Sequence, residues 1–152
     1  MHRIRPALAQ DTPAISAVCM AAFAQAVAPT LSAQGVATFT AVAAPAAFVD
    51  RLQGDNHILV AEQDARIVGV VELKEGRHLA MLFVAPACQG QGIGHALLQA
   101  VLPHLRAPKM SVSASLNAVP TYQRYGFVLD GEVAESHGLV YQPLTLAAPP
   151  PR

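Results

Sequence analysis

Residues 83–98, FVAPACQGQGIGHALL, constrain this chain more than any other stretch. The apolar run LAMLFV reads as a buried strand, and Pro86 stops strand pairing just beyond it. Gln89 to Gly94 then place three glycines on alternate positions. HALLQAVLPHL follows, with Ala96, Leu97, Ala100 and Val101 at helical spacing. The pattern is strand, glycine-rich turn, helix. Glycines permit positive φ and close approach of a ligand. A helix N-terminus offers unpaired N–H groups and about half a positive charge. Together these features predict an anion site, most simply for a phosphate or pyrophosphate.

Spacing narrows the anion. A P-loop requires GxxxxGK[ST], and neither Lys nor Ser/Thr follows Gly94. A dinucleotide fingerprint requires GxGxxG. Counting from Gly90 puts His95 at the third glycine's place, and counting from Gly92 puts Leu97 there. The acidic ribose ligand expected about 20 residues on is absent from PKMSVSASLNAV. The sequence does read Q-x-x-G-x-G at Gln89, Gly92 and Gly94, after a strand ending V-A-P. This resembles the pyrophosphate loop of the GNAT (Gcn5-related N-acetyltransferase) superfamily. The resemblance implies acetyl-CoA as co-substrate, with its diphosphate on the backbone of Gln89, Gly90, Gln91, Gly92, Ile93 and Gly94. His95, at the helix start, is placed to help a phosphate. A glycine-rich turn that binds nothing is the alternative.

Residues 117–127, NAVPTYQRYGF, carry a second such feature. Tyr-x-x-x-Gly-Phe after a short helix is similar to the other GNAT hallmark. It implies a Tyr122 hydroxyl near the coenzyme A sulfur, donating a proton to the departing thiolate, and Asn117 beside the pantetheine arm. A core tyrosine with a satisfied hydroxyl is the plainer reading of Tyr122; Tyr125 and Phe127 read as core. The resemblance further implies that the backbone N–H of Leu82 meets the developing oxyanion and that Val84 bonds the pantetheine amide. For the base it points to His78, upstream on the same strand, since an imidazole near pKa 6.5 can accept a proton at neutral pH. Glu72, Glu75, His137 and a water compete for that role.

The rest of the chain supplies the frame. Residues 2–6, 57–62, 66–73, 78–84, 109–113, 127–129 and 139–146 read as strands. Residues 11–27, 32–42, 45–53, 92–104 and 118–125 read as helices. In the first helix Ile15, Val18, Cys19, Ala22 and Phe23 form one stripe, Asp11 or Thr12 is the expected cap, and Pro13 suits the first turn. That stripe, and Asp11 interrupting the charged lead, argue against a signal peptide over 13–29. The order matches the GNAT arrangement over 3–146. It predicts an α+β, three-layer GNAT fold with a mixed, mostly antiparallel central sheet flanked by helices.

At 152 residues one domain is expected, 1–146, followed by a disordered Pro-rich tail, 147–152. Net charge is zero, which gives no nucleic-acid footprint, and the apolar content is largely alanine, with no membrane span. Cys19 and Cys88 are far apart, with no CxxC and no metal pattern. A reduced cytoplasmic protein is expected, with no metal. The function implied is transfer of the acetyl group of acetyl-CoA to a primary amine of a small molecule or peptide, by direct attack in a ternary complex. A catalytically idle acyl-CoA-binding sensor module is the alternative. The acceptor, the acyl-chain preference and a homodimeric state are left open.

Overall fold

The computed structural model describes residues 2–149. Eight strands form one sheet system: β1 (Arg3–Pro6), β2 (Asn56–Gln63), β3 (Arg66–Lys74), β4 (His78–Val84), β5 (Lys109–Ala114), β6 (Val128–Leu129), β7 (Ala134–Ser136) and β8 (Leu139–Ala147). Their order is β1-β2-β3-β4-β5-β8-β6, with β7 pairing β8. All pairs are antiparallel except β4–β5.

Five helices cover both faces: α1 (Thr12–Ala26), α2 (Ala33–Val42), α3 (Pro45–Leu52), α4 (Ile93–Val101) and α5 (Val119–Arg124). One core joins Ile15, Cys19 and Phe23 of α1, Phe39 of α2 and Phe48 of α3 to Ile58, Val60, Val70 and Met81. The other joins Ile93, Leu97, Leu98 and Val101 of α4 and Tyr122 of α5 to Leu59, Val71, Leu79 and Val112. Ile58 and Leu59 fall in different cores, as the two-residue period of a strand requires. The fold is therefore three-layer α+β with a mixed, mostly antiparallel sheet.

Several local expectations shift. Leu98, rather than Ala96, completes the buried face of α4. That helix ends at Val101 and tightens into a 3₁₀ turn over Leu102–His104, because Pro103 has no N–H to continue the α ladder. Asp11 stands at the N-cap of α1 but does not cap it. Its carboxylate instead accepts the Leu8 N–H at 2.7 Å and pairs with Arg5 at 2.8 Å. β8 runs through Ala147, and the Ala148 N–H donates to the Pro108 carbonyl at 2.9 Å, so pairing extends into the segment expected to be tail. The rest of that tail, 150–152, lies outside the described residues.

β7 falls outside the strands that the sequence predicts. The turn His137–Gly138, with φ of 53° and 82°, folds it onto β8. Gly138 also meets α2 backbone to backbone, and a Cβ on Gly35 would overlap the Gly138 carbonyl.

Two irregularities shape the middle of the sheet. β4 has a bulge at Ala80, opposite the step from Glu72 to Leu73. Leu79 and Met81, two residues apart, consequently enter opposite cores. In addition, β4 and β5 pair only at His78↔Ser111 and Leu79↔Val112. Beyond that point the two strands part, and the sheet opens.

Candidate active site

The opening beside β4 presents free backbone groups, and the register shows why. The Ala85 N–H donates to the Val68 carbonyl at 2.8 Å. That makes Gly69↔Val84 and Val71↔Leu82 the non-hydrogen-bonded pairs of the β3–β4 ladder. The N–H and C=O groups of Leu82 and Val84 therefore point away from β3, towards the gap that β5 leaves. The Val84 carbonyl is taken by Gln89 Nε2 at 3.1 Å, which ties the glycine loop back to the strand end. The amides of Leu82 and Val84 remain for a ligand.

A cavity of about 480 Å³ runs from this gap to the glycine loop. Val84, Gln89, Gly90, Gly92, Ile93, Gly94, Asn117 and Tyr122 line it. Gly92 caps α4 with φ of 81°, a left-handed conformation that a β-branched residue resists. A Cβ there would meet no protein atom within 4 Å and would project into open space. Gln91 and His95 do not line the cavity. The Gln91 side chain accepts from Gln63 Nε2 at 3.3 Å, and the exposed His95 ring stacks on Tyr125 with centroids 5.4 Å apart.

Arg124 and Tyr125, which the sequence reading did not place here, do line this cavity. Tyr125 is half-buried rather than core, and a Cβ on Gly94 would lie 2.9 Å from its hydroxyl. Helical spacing from Thr121 and Tyr122 was the available signal. Among the described residues Arg124 is the one charged side chain lining this cavity, which suits a polyanionic ligand.

A second cavity, of about 440 Å³, opens on the other side of the β4–β5 gap. His78, His137 and Tyr122 line it, together with Ser113, Ser136 and Thr38. Leu82, Phe83, Ser115, Ala118 and Tyr122 border both cavities. The two spaces therefore meet at Leu82 and Tyr122.

Tyr122 is buried, and burial, with Tyr125 beside it, raises its phenol well above the usual value. His78 Nδ1 lies 2.8 Å from Ser111 Oγ, leaving Nε2 as the ring nitrogen available to a ligand. Burial, then the Arg77 and Lys74 charges, lower its imidazole below the usual 6.5.

The competing carboxylates lie elsewhere. Glu72 is fully buried, paired with Arg51 at 2.8 Å and accepting from Asn56 at 2.7 Å. Glu75 sits in the exposed β3–β4 turn, paired with Arg77 at 2.6 Å. Neither lines either cavity. No group of three or more His, Cys, Asp or Glu able to hold a metal occurs among the described residues. No helix among them is long and apolar enough to cross a membrane.

Comparison with known proteins gives the family and the fold. Residues 27–148 match the family model described as an acetyltransferase (GNAT) domain. A 71-residue stretch is 41% identical to the peptidyl-lysine N-acetyltransferase YiaC of Escherichia coli (strain K12), covering 45% of this chain and 47% of that protein. The chain thus spans about half the length of the curated relative it matches. A GCN5-related N-acetyltransferase structure from Rhodopseudomonas palustris superposes with a TM-score of 0.83 at 26% identity, over 95% of this chain and 94% of that one. The PaiA N-acetyltransferase of Thermoplasma acidophilum, solved with coenzyme A, shares the fold with a TM-score of 0.77 at 16% identity, over 93% and 98% of the two chains.

Proposed function

The chain belongs to the GNAT acetyltransferase family, and we propose that it transfers the acetyl group of acetyl-CoA to a primary amine by direct attack within a ternary complex. One observation carries this reading: two cavities meet at Leu82 and Tyr122, one ending on a glycine loop and helix N-terminus, the other at His78. The first has the composition for a thioester of a nucleotide diphosphate. The loop backbone of 89–94 and Arg124 suit the pyrophosphate. The Val84 amide and Asn117 suit the pantetheine arm. Free thiols at Cys19 and Cys88 support a reducing, cytoplasmic setting.

In the proposed reaction the amine nitrogen bonds to the acetyl carbon, the carbon–sulfur bond breaks, and coenzyme A leaves as the thiol. The Leu82 N–H meets the carbonyl oxygen as it gains negative charge. His78 Nε2, directly or through a water, takes the amine proton. Tyr122 donates to the sulfur as its charge develops.

Magnitudes shape these roles. An aliphatic ammonium near pKa 10.4 is almost four units above an imidazole at 6.5, so transfer between them costs about 5 kcal/mol in water. Desolvating the amine in the cavity lowers that cost. A phenol above pKa 10 gives up its proton to a thiolate near 8.5 only uphill by about 2 kcal/mol or more. Tyr122 therefore acts first as a hydrogen-bond donor and completes transfer as the sulfur becomes basic.

Calorimetry with coenzyme A, followed by thiol release from acetyl-CoA with a panel of amines, tests the proposal. Saturable binding and amine-dependent release are expected. Binding without release for any amine would leave an acyl-CoA-binding module. No binding would overturn the reading.

A further inference from the structure

The wall of the second cavity carries information about the acceptor that no residue motif holds. Phe23 and Phe39 stack there face to face, with centroids 3.9 Å apart and planes 5° apart, and Phe83 meets Phe39 edge-on at 5.5 Å. Leu31, Met81 and Leu139 add aliphatic surface. Polar atoms come from hydroxyls, His78 and His137. Among the described residues no Asp, Glu, Lys or Arg lines it. One side is closed: α2 and the β7–β8 turn, both lining the cavity, touch through Gly35 and Gly138, and Thr38 Oγ1 donates to the His137 carbonyl at 2.7 Å.

We infer that the acceptor is a small primary amine on an apolar or aromatic body with no second cationic group, rather than a polyamine or a lysine within a polypeptide. This rests on the acetyltransferase reading above and specifies its substrate class. A site built for a polycation needs carboxylates to replace the water each ammonium loses, and this wall offers none. The aromatic stack instead rewards burial of apolar surface. The same apolar wall favours the neutral form of the single reacting amine, which eases proton loss to His78. The contact between α2 and the β7–β8 turn closes that side of the cavity to a polypeptide lying across it.

Thiol release from acetyl-CoA separates the classes. Hexylamine and hexamethylenediamine have the same length and differ by one ammonium; phenethylamine and an N-terminally blocked lysine tripeptide extend the comparison. The expected result is a kcat/KM for hexylamine and phenethylamine at least about tenfold above that for hexamethylenediamine and the peptide. Ser113→Asp, which puts a carboxylate on an exposed position of this wall, should narrow the gap between hexylamine and hexamethylenediamine. Equal or better turnover of the diamine or the peptide by the wild type would overturn the inference while leaving the acetyltransferase reading standing. Absence of release with every amine would overturn both.

Discussion

Burial acts in opposite senses on Tyr122, where the two cavities meet, and on His78, which lines the second. It keeps Tyr122 protonated and His78 unprotonated near neutrality, which are the donor and acceptor states each proposed role requires. Tyr122→Phe keeps the ring and its packing and removes only the donor. Its kcat should fall by about 10²–10⁴-fold with coenzyme A affinity unchanged. A fall of less than about twofold, well under that range, would make Tyr122 a packing residue.

His78 must be neutral to accept a proton, so its acidic limb in kcat/KM should lie below about pH 6.5. His78→Ala should remove that limb, and a limb that persists in the variant belongs to another group. The same shift of His78 bears on stability. The folded pKa is depressed, so the unfolded chain binds more protons, and the contribution is lost as pH falls from 6.5 through the folded value.

At the scale of elements, the glycine loop and the parted strands work as a pair. The turn needs positive φ at Gly92 to start α4 where it does, and the open space above it is where a phosphate would rest. Gly92→Val costs about 1–2 kcal/mol in backbone strain and fills that space. Coenzyme A affinity should drop at least about tenfold, equivalent to 1.4 kcal/mol, while the circular dichroism spectrum stays that of the wild type. Affinity within twofold of wild type would move the pyrophosphate elsewhere. β4 contributes through its bulge and its early separation from β5, since full pairing would consume the Leu82 and Val84 amides.

Across the whole molecule, an ion pair with a buried carboxylate braces the helical layer over the second cavity. Arg51 of α3 reaches Glu72 of β3 at 2.8 Å and the Val42 carbonyl at the end of α2 at 2.9 Å, and its guanidinium lies 4.4 Å from the Phe48 ring centroid. Glu72 is wholly enclosed. Arg51→Met would leave that carboxylate without its countercharge, at a cost of about 3–5 kcal/mol. Urea unfolding should show the loss. The double variant Arg51→Met/Glu72→Gln should recover much of it, because the charge rather than the volume is the liability. No recovery in the double variant would show that packing of Arg51 on Phe48 dominates.

Most of the element order, the core-facing stripe of α1 and the glycine loop were legible in the sequence because each is local. A helix stripe, a strand period and a φ-positive turn are written within a few residues of one another. The residues Gln89, Gly92, Gly94 and Tyr122 stood out for the same reason. The bulge at Ala80 was not legible, since alternation in LAMLFV reads the same with or without an extra residue. β7 was hidden because three partly polar residues gain their pairing from a distant strand. Glu72 looked like a candidate base from its place in the chain, and only Arg51 and Asn56, brought in from other elements, show it to be an internal ion pair. The sequence by itself determined the layers and the glycine-rich turn, through short-range sterics and periodicity. Tertiary structure alone decided which amides stay free, which histidines face the second cavity and that no charged side chain among the described residues lines it, because those depend on surfaces brought together from separate parts of the chain.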